Sequence, residues 1–290
     1  MRILITGASG LIGTHLLATA KDLEVISVVN HNPVQVEGST VLQGDLTDSA
    51  FLDSLPKVDY IIHGAGYGQP RKFTLDPIKT IKLNTTVLLK LFDKLNNDGK
   101  LLYLSTSEVY SGAKPPYKET DIGTTSPNHP RACYIESKRC GEAICNAYGA
   151  KIARLSLVYG PGARGDDERV MSDFIRQGLK GEIHLLDAGQ ALRTYCYVTD
   201  AAELLWKILL HGQGTYNVGG HSQVSIKELA MKIGTVLNAK VFLGTKKLDG
   251  APEDVSLDMS ATEKEFNKSI YVDLDEGLRQ TIEWHKQIGG

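Results

Sequence analysis

Two kinds of segment alternate along the first half of the chain. Short apolar runs occupy residues 2–6, 25–29, 40–42, 58–63, 100–105 and 151–155, most of them bounded by glycine, asparagine or charged residues. Runs this short and this continuously apolar predict strands covered on both faces, the habit of a parallel sheet. Between them, residues 11–20, 77–96 and 132–147 carry apolar side chains at helical spacing. The alternation predicts an α/β fold: a Rossmann-type doubly wound parallel sheet with helices on both faces.

The second half is less regular. Residues 170–180, 199–210, 225–237 and 274–286 read as helices, 183–186 as a strand and 215–218 as a last strand of the main sheet. The stretch 244–258, with glycine, proline and charge, reads as loop. The expected layout is a nucleotide-binding domain, residues 1–157 with 190–218, and a smaller C-terminal substrate-binding lobe, residues 158–189 with 219–290.

Composition then narrows the partners. The 290 residues are 42% hydrophobic and 23% charged, with a formal charge of -2. No basic block stands out, so neither nucleic acid nor an anionic membrane is an expected partner. Cys133, Cys140, Cys145 and Cys196 form no Cys-x-x-Cys pair and have no histidine at ligand spacing. They read as free thiols of a reducing compartment, and no metal is expected. No apolar run approaches the roughly 18 residues of a membrane span, and a strand begins directly after Met1. The expected location is the cytoplasm.

The first candidate chemistry lies between the first strand and the first helix, at Gly7-Ala8-Ser9-Gly10-Leu11-Ile12-Gly13. In this context Gly7 permits a tight turn, Gly10 lets the backbone approach a pyrophosphate, and Gly13 lets the helix pack on the sheet. Ser9, Gly10, Leu11 and Ile12 would bring backbone N–H groups to the anion at the helix start. At the end of the second strand, where an acid usually binds the ribose of NAD, stands Asn30, expected to hydrogen-bond the ribose instead. No Arg or Lys occurs between Asp22 and Lys57 to take a 2′-phosphate, which favours NAD and leaves NADP open. Asp45 and Leu46 are expected to bracket the adenine, and Ala65 and Thr80 complete the expected cofactor contacts.

The second candidate is Thr106-Ser107-Glu108 upstream of Tyr134 and Lys138. Tyr134 and Lys138 are one helical turn apart and so share a face. A lysine beside a phenol favours phenolate, which would make Tyr134 a general base for a hydroxyl, with Thr106 sharing the proton. His63, behind an apolar run, reads as a structural histidine, and Tyr110, Tyr159 and Tyr197 as packing aromatics.

With these residues in place the chain resembles the extended short-chain dehydrogenase/reductase superfamily. Within it, it resembles the nucleotide-sugar epimerase/dehydratase group, and UDP-glucuronate decarboxylases above all. The segments that carry the likeness are residues 77–84, 105–110, 130–134 with Lys138-Arg139, 159–161, 169–175 and 193–200. The resemblance implies that NAD oxidises a sugar at C4, with Tyr134 taking the hydroxyl proton and Lys138 holding the nicotinamide ribose. It places Thr106 beside the C4 hydroxyl and Glu108 near C5, and gives Arg193 a role as acid or phosphate contact. Ser107 and Arg169 join Arg193 as expected substrate contacts. It implies a homodimer through the helices of residues 77–96 and 132–147. A 4,6-dehydratase, a 4-epimerase, a 4-dehydrogenase and a non-catalytic cofactor-binding protein remain alternatives.

The pattern breaks at three positions. Leu157 stands where the family usually has an asparagine touching the substrate diphosphate, Val255 where an arginine often reaches the same phosphates, and Ser111 where a glycine follows Val-Tyr. An apolar side chain cannot replace a charge-assisted phosphate contact, so the redox centre is intact while the diphosphate grip is altered.

Overall fold

The structure is a computed structural model that describes residues 1–20, 22–32, 39–246 and 254–288. Its first six strands are β1 (Arg2–Thr6), β2 (Glu24–Val29), β3 (Ser39–Gln43), β4 (Val58–His63), β5 (Leu95–Thr106) and β6 (Lys151–Leu155). After them come β7 (Leu157–Tyr159), β8 (Glu182–His184), β9 (Leu192–Tyr197), β10 (Thr215–Val218), β11 (Ser222–Ser225), β12 (Lys240–Phe242) and β13 (Asp254–Val255). The main sheet runs β3-β2-β1-β4-β5-β6-β10, and every pairing in it is parallel. Its central strands are apolar on both faces because both faces are covered: Ile3, Leu4, Ile61, Ile62 and Leu102 are fully buried.

The helices are α1 (Leu11–Thr19), α2 (Ser49–Ser54), α3 (Pro70–Leu75), α4 (Pro77–Asn84), α5 (Thr86–Phe92), α6 (Ala132–Ala147), α7 (Val170–Gly178), α8 (Val198–His211), α9 (Ile226–Leu237), α10 (Ser260–Phe266) and α11 (Leu274–Ile288). A short 3-10 helix spans Ser107–Tyr110. One face of the main sheet is covered by α1 and α8, through Leu16, Leu17, Leu205 and Ile208. The other is covered by α2, α4, α5 and α6, through Leu52, Leu83, Leu88, Leu91 and Cys145. A third apolar cluster, with Phe174, Ile175, Ile183, Leu229, Ile233 and Leu278, sits among α7, α9 and α11. Two small sheets lie beside it, β11-β9-β13 with β7 against β9, and β12-β8.

The strand order reverses between β1 and β4, whose C-terminal ends, Thr6 and His63, are register partners. That switch point opens the crevice where doubly wound sheets bind ligands. The helix expected over residues 77–96 is broken: α4 ends at Asn84, Thr85 takes φ -124° and ψ -79°, and α5 restarts the helix. Residues 95 and 96 already belong to β5, whose register with β4 slips between Val58 and Tyr60 around the left-handed Asp98. The run 244–258 contains β13, while its residues 247–253 lie outside the described residues. Among the described residues no helix is long and apolar enough to cross a membrane, and all four cysteines are free thiols.

Candidate active site

A cleft of about 670 Å³ opens at the switch point and runs from the glycine turn to Arg193. Gly7 has φ +72°, and a Cβ there would lie 2.7 Å from the Gly64 carbonyl oxygen. A Cβ on Gly13 would collide with the Gly7 carbonyl oxygen and with Ala8. Gly10 caps α1 without a side-chain hydrogen bond, so the first-turn N–H groups have no side-chain partner among the described residues. They sit where Ser9, Gly10, Leu11 and Ile12 line the cleft. An unscreened helix start with a close backbone approach fits a pyrophosphate.

Asn30, Asp45, Leu46 and Ala65 line the same end of the cleft. Asp45 is already engaged: it accepts from Thr47 N at 2.9 Å, Thr47 Oγ1 at 2.8 Å and Lys79 Nζ at 2.6 Å. Burial would push its carboxyl up, but the lysine and the threonine donors outweigh it and hold the group down at about 2. Thr80 does not line the cleft. It is buried in α4 and donates to the Asp76 carbonyl at 2.8 Å, while its neighbour Lys79 lines the cleft in its place.

The residues expected to serve the redox step converge on the far side. Thr106 ends β5 and caps the 3-10 helix, its hydroxyl accepting from Glu108 N at 3.2 Å. The same hydroxyl faces the Tyr134 phenol and favours its ionised form. Tyr134 and Lys138 project from α6 into the cleft at 9% and 7% exposure. The Tyr134 ring stacks on Phe73 of α3, centroids 4.6 Å apart and nearly parallel. Lys138 Nζ donates to the Leu104 carbonyl at 2.7 Å and stands 4.6 Å from the Tyr103 ring centroid but 6.0 Å from that of Tyr134.

Burial governs both titrations. It pulls Lys138 down to about 7, against the attraction of Glu142 one turn along α6. It also pushes Tyr134 up to about 12, helped by the Glu108 charge and opposed by Thr106, Arg131 and Arg169. This corrects the expectation that Lys138 draws the phenol toward neutrality. The lysine directs its proton at a backbone carbonyl and loses much of its own charge to desolvation. His63 is structural, as expected: Nδ1 meets Thr6 Oγ1 at 2.8 Å, Nε2 meets the Leu83 carbonyl at 2.9 Å, and burial holds it down at about 4.

Beneath Lys138 lies a polar network. Glu142 accepts from Ser105 Oγ at 2.5 Å and forms a bidentate pair with Arg154 of β6, at 2.9 and 2.7 Å. Arg154 also donates to the Tyr110 hydroxyl, which donates to Asn217 of β10 at 2.7 Å. The network fixes α6 against three neighbouring strands.

The end of the cleft expected to face the substrate carries three arginines, Arg131, Arg169 and Arg193. Glu108 is ion-paired to Arg131, the residue that opens α6. Arg193 of β9 attracts the same carboxylate and, among the described residues, donates a hydrogen bond only to the Leu192 carbonyl, at 2.7 Å. Arg169 caps α7 and is held by buried Asp167 at 2.7–3.0 Å, with Nη1 on the Val158 carbonyl at 3.1 Å. Ser107 is buried beside Glu108 and lines the cleft. Leu157 and Val255 line it too, paired across β9 with Tyr195 and Arg193. Both apolar substitutions therefore face the site. Arg131, Phe73, Lys79 and Glu142 are absent from the sequence-based set. Arg131 carried a readable signal, since it stands three residues before Tyr134, the spacing at which helical neighbours meet.

A sequence profile of the NAD dependent epimerase/dehydratase family matches residues 3–219. UDP-glucuronic acid decarboxylase 6 of Arabidopsis thaliana is 31% identical over 303 aligned positions, covering 96% of this chain and 87% of the relative. UDP-glucuronic acid decarboxylase 1 of Xenopus tropicalis is 30% identical, covering 99% of this chain and 72% of the relative. Among solved structures, UDP-glucose 4-epimerase of Thermotoga maritima with UDP-glucose superposes with a TM-score of 0.87 at 24% identity, over 100% of both chains. UDP-glucuronic acid 4-epimerase of Bacillus cereus with UDP-glucuronic acid and NAD gives 0.84 at 23% identity, over 99% of this chain and 100% of that one.

Proposed function

The chain belongs to the NAD-dependent epimerase/dehydratase family, and from that premise we propose that it oxidises a nucleotide sugar at C4 and then decarboxylates it. The observation that carries the reading is the convergence of Thr106, Tyr134, Lys138, Glu108, Arg131 and Arg193 on one end of a dinucleotide cleft. NAD supplies a hydride acceptor at C4 that later returns the hydride, together with a positive charge at the nicotinamide ring.

The protein's part is proton transfer and orientation. With the nicotinamide charge beside it favouring phenolate, Tyr134 takes the C4 hydroxyl proton, and Thr106, next to it, holds that hydroxyl in line. The electron pair of the bond from C5 to the carboxylate moves toward the 4-keto oxygen as carbon dioxide leaves. A proton from solvent then replaces the carboxylate at C5, and the proton held by Tyr134 goes back to the C4 oxygen when the ketone is reduced. Arg193 faces this end and favours the developing enolate charge. The identity to decarboxylases supports this branch, while Leu157 and Val255 remove two polar contacts from the diphosphate grip.

In this reading the cofactor is held by residues 1–157 with 190–218, and the sugar by 158–189 with 219–290. The protein works in the cytoplasm, in keeping with four free thiols. It pairs as a homodimer through α4, α5 and α6. Leu75, Ile78 and Leu89 are exposed on that side, at 73%, 63% and 42%, and sedimentation velocity tests the pairing.

The reaction is tested by incubating the protein with a panel of nucleotide sugars and weighing the products. Loss of carbon dioxide supports the proposal. Loss of water indicates a dehydratase, and unchanged mass with a new sugar indicates an epimerase. Tyr134→Phe is expected to lower kcat by about 10²–10⁴-fold. A Tyr134→Phe variant that matches the wild type in every assay points to a non-catalytic protein.

A further inference from the structure

Glu108 is held by one oxygen and open at the other. Its Oε1 accepts from Arg131 Nη2. Glu108 Oε2 and Arg131 Nε are both buried, and neither has a hydrogen-bond partner among the described residues. A bidentate pair would have engaged two oxygens with two donors. Here one donor and one acceptor are left over, in two residues that both line the cleft.

Arg131 is itself fixed. Its guanidinium stands over the Phe73 ring, 5.5 Å from the centroid, and Tyr134 stacks on the same ring. Phe73 is fully buried, which leaves the stack little room to move sideways. The Arg131 carbonyl accepts from Tyr134 N and Ile135 N, each at 3.1 Å, so side chain and backbone together tie it to the turn that carries the base.

We infer that Arg131 is a positioning residue: it clamps Glu108 Oε1 so that Oε2 is presented to the sugar beside the Tyr134 hydroxyl. The inference rests on the proposed reaction only for what Glu108 then does there. Glu108 is faced by Arg131 and Tyr134 from α6, by Arg193 from β9, and by Thr106 beneath it. Asp254 of β13 and Tyr195 of β9 act on Arg193, and Arg169 of α7 acts on Tyr134. Burial raises the Glu108 carboxyl above its ordinary value, and Arg131, then Arg193, offset part of that rise. Loss of Arg131 therefore moves Glu108 ionisation to higher pH.

The test follows the carboxyl carbon resonance of Glu108 against pH in the NAD-loaded protein, assigned by its loss in Glu108→Gln. In Arg131→Gln the midpoint is expected to rise by about one pH unit or more, and in Arg131→Lys to return toward the wild type. Arg131→Met replaces Arg131→Gln where the latter does not fold. An unmoved midpoint in either folded neutral variant overturns the inference.

Turnover gives a second reading. With a nucleotide sugar the wild type accepts, Arg131→Gln lowers kcat by about tenfold or more with KM nearly unchanged, the mark of a loss confined to the transition state. The Arg131→Gln/Glu108→Gln double variant is no slower than Glu108→Gln. Two losses that multiply overturn the clamp. A wild type that transforms no nucleotide sugar defeats the proposed function, while the titration still decides the role of Arg131.

Discussion

Two carboxylate–arginine pairs flank the turn of α6 that carries Tyr134 and Lys138, and they are built to opposite standards. Below it, Glu142 and Arg154 form two hydrogen bonds with each other, and the remaining capacity is taken by Ser105, Tyr110 and the Glu119 carbonyl. Above it, Glu108 and Arg131 share one bond and leave Oε2 and Nε unanswered. A buried polar network that is fully satisfied fixes a structure, whereas a partly satisfied one is costly unless something else completes it. The floor of the site is scaffold, and its wall is shaped for a ligand.

The largest effect expected from this contrast is on the floor. Glu142→Ala leaves Arg154 buried without its carboxylate and is expected to cost about 3–5 kcal/mol, read by urea denaturation. A cost near zero would make the two pairs alike.

Lys138 sharpens the picture through pH. It ionises near 7 in the fold against 10.5 as a free side chain. Between those values the unfolded chain holds the extra proton, so this group makes stability rise with pH across the window and leaves it lowest below 7. Lys138→Met removes that slope. The cofactor-free variant is expected to be more stable than the wild type at about pH 6, with the gap closing toward about pH 10. A gap independent of pH would mean that the lysine keeps its full charge in the fold.

On the wall the expected effect on stability is smaller. Glu108→Gln is expected to change stability by about 1 kcal/mol or less, since its pair is bound at a single point and open to the cleft. The contrast collapses if this variant is as destabilised as Glu142→Ala. Smallest of all is the rim, where Lys72 pairs with Asp166 at 2.9 Å and Arg71 with Glu168 at 2.5 Å, all substantially exposed. Lys72→Ala is expected to alter stability by less than about 1 kcal/mol but to speed NAD dissociation a few-fold, more at low salt than at high. Dissociation rates that ignore both the substitution and the salt would show that the rim does not hold the cofactor.

The frame of the site was legible in the sequence, and of the two pairs only Glu108 was: Arg131, Glu142 and Arg154 were not among the expected residues. Continuous apolar runs gave the parallel strands, and the glycine spacing placed the turn at the switch point. The spacing of Tyr134 and Lys138 placed both on one buried face. Glu142 went unread because a single carboxylate on a helix says nothing of the strand arginine it will meet, twelve residues on. The same holds for Lys79 and Asp45, which are 34 residues apart in the chain. The direction of the Tyr134 shift was misread for a related reason. Spacing shows that two groups are neighbours, but burial decided their charges, and burial belongs to the whole fold. The break at Thr85 was missed because α4 and α5 keep their apolar faces in near-continuous phase.

The six residues of α3 couple two parts of the site. Arg71 and Lys72 grip the loop at Asp166 and Glu168, across the mouth of the cleft, while Phe73 on the same short helix is the surface against which Tyr134 lies. Both sets of contacts hang on six consecutive residues, so a substitution that displaces this short helix disturbs the mouth of the cleft and the packing of Tyr134 together.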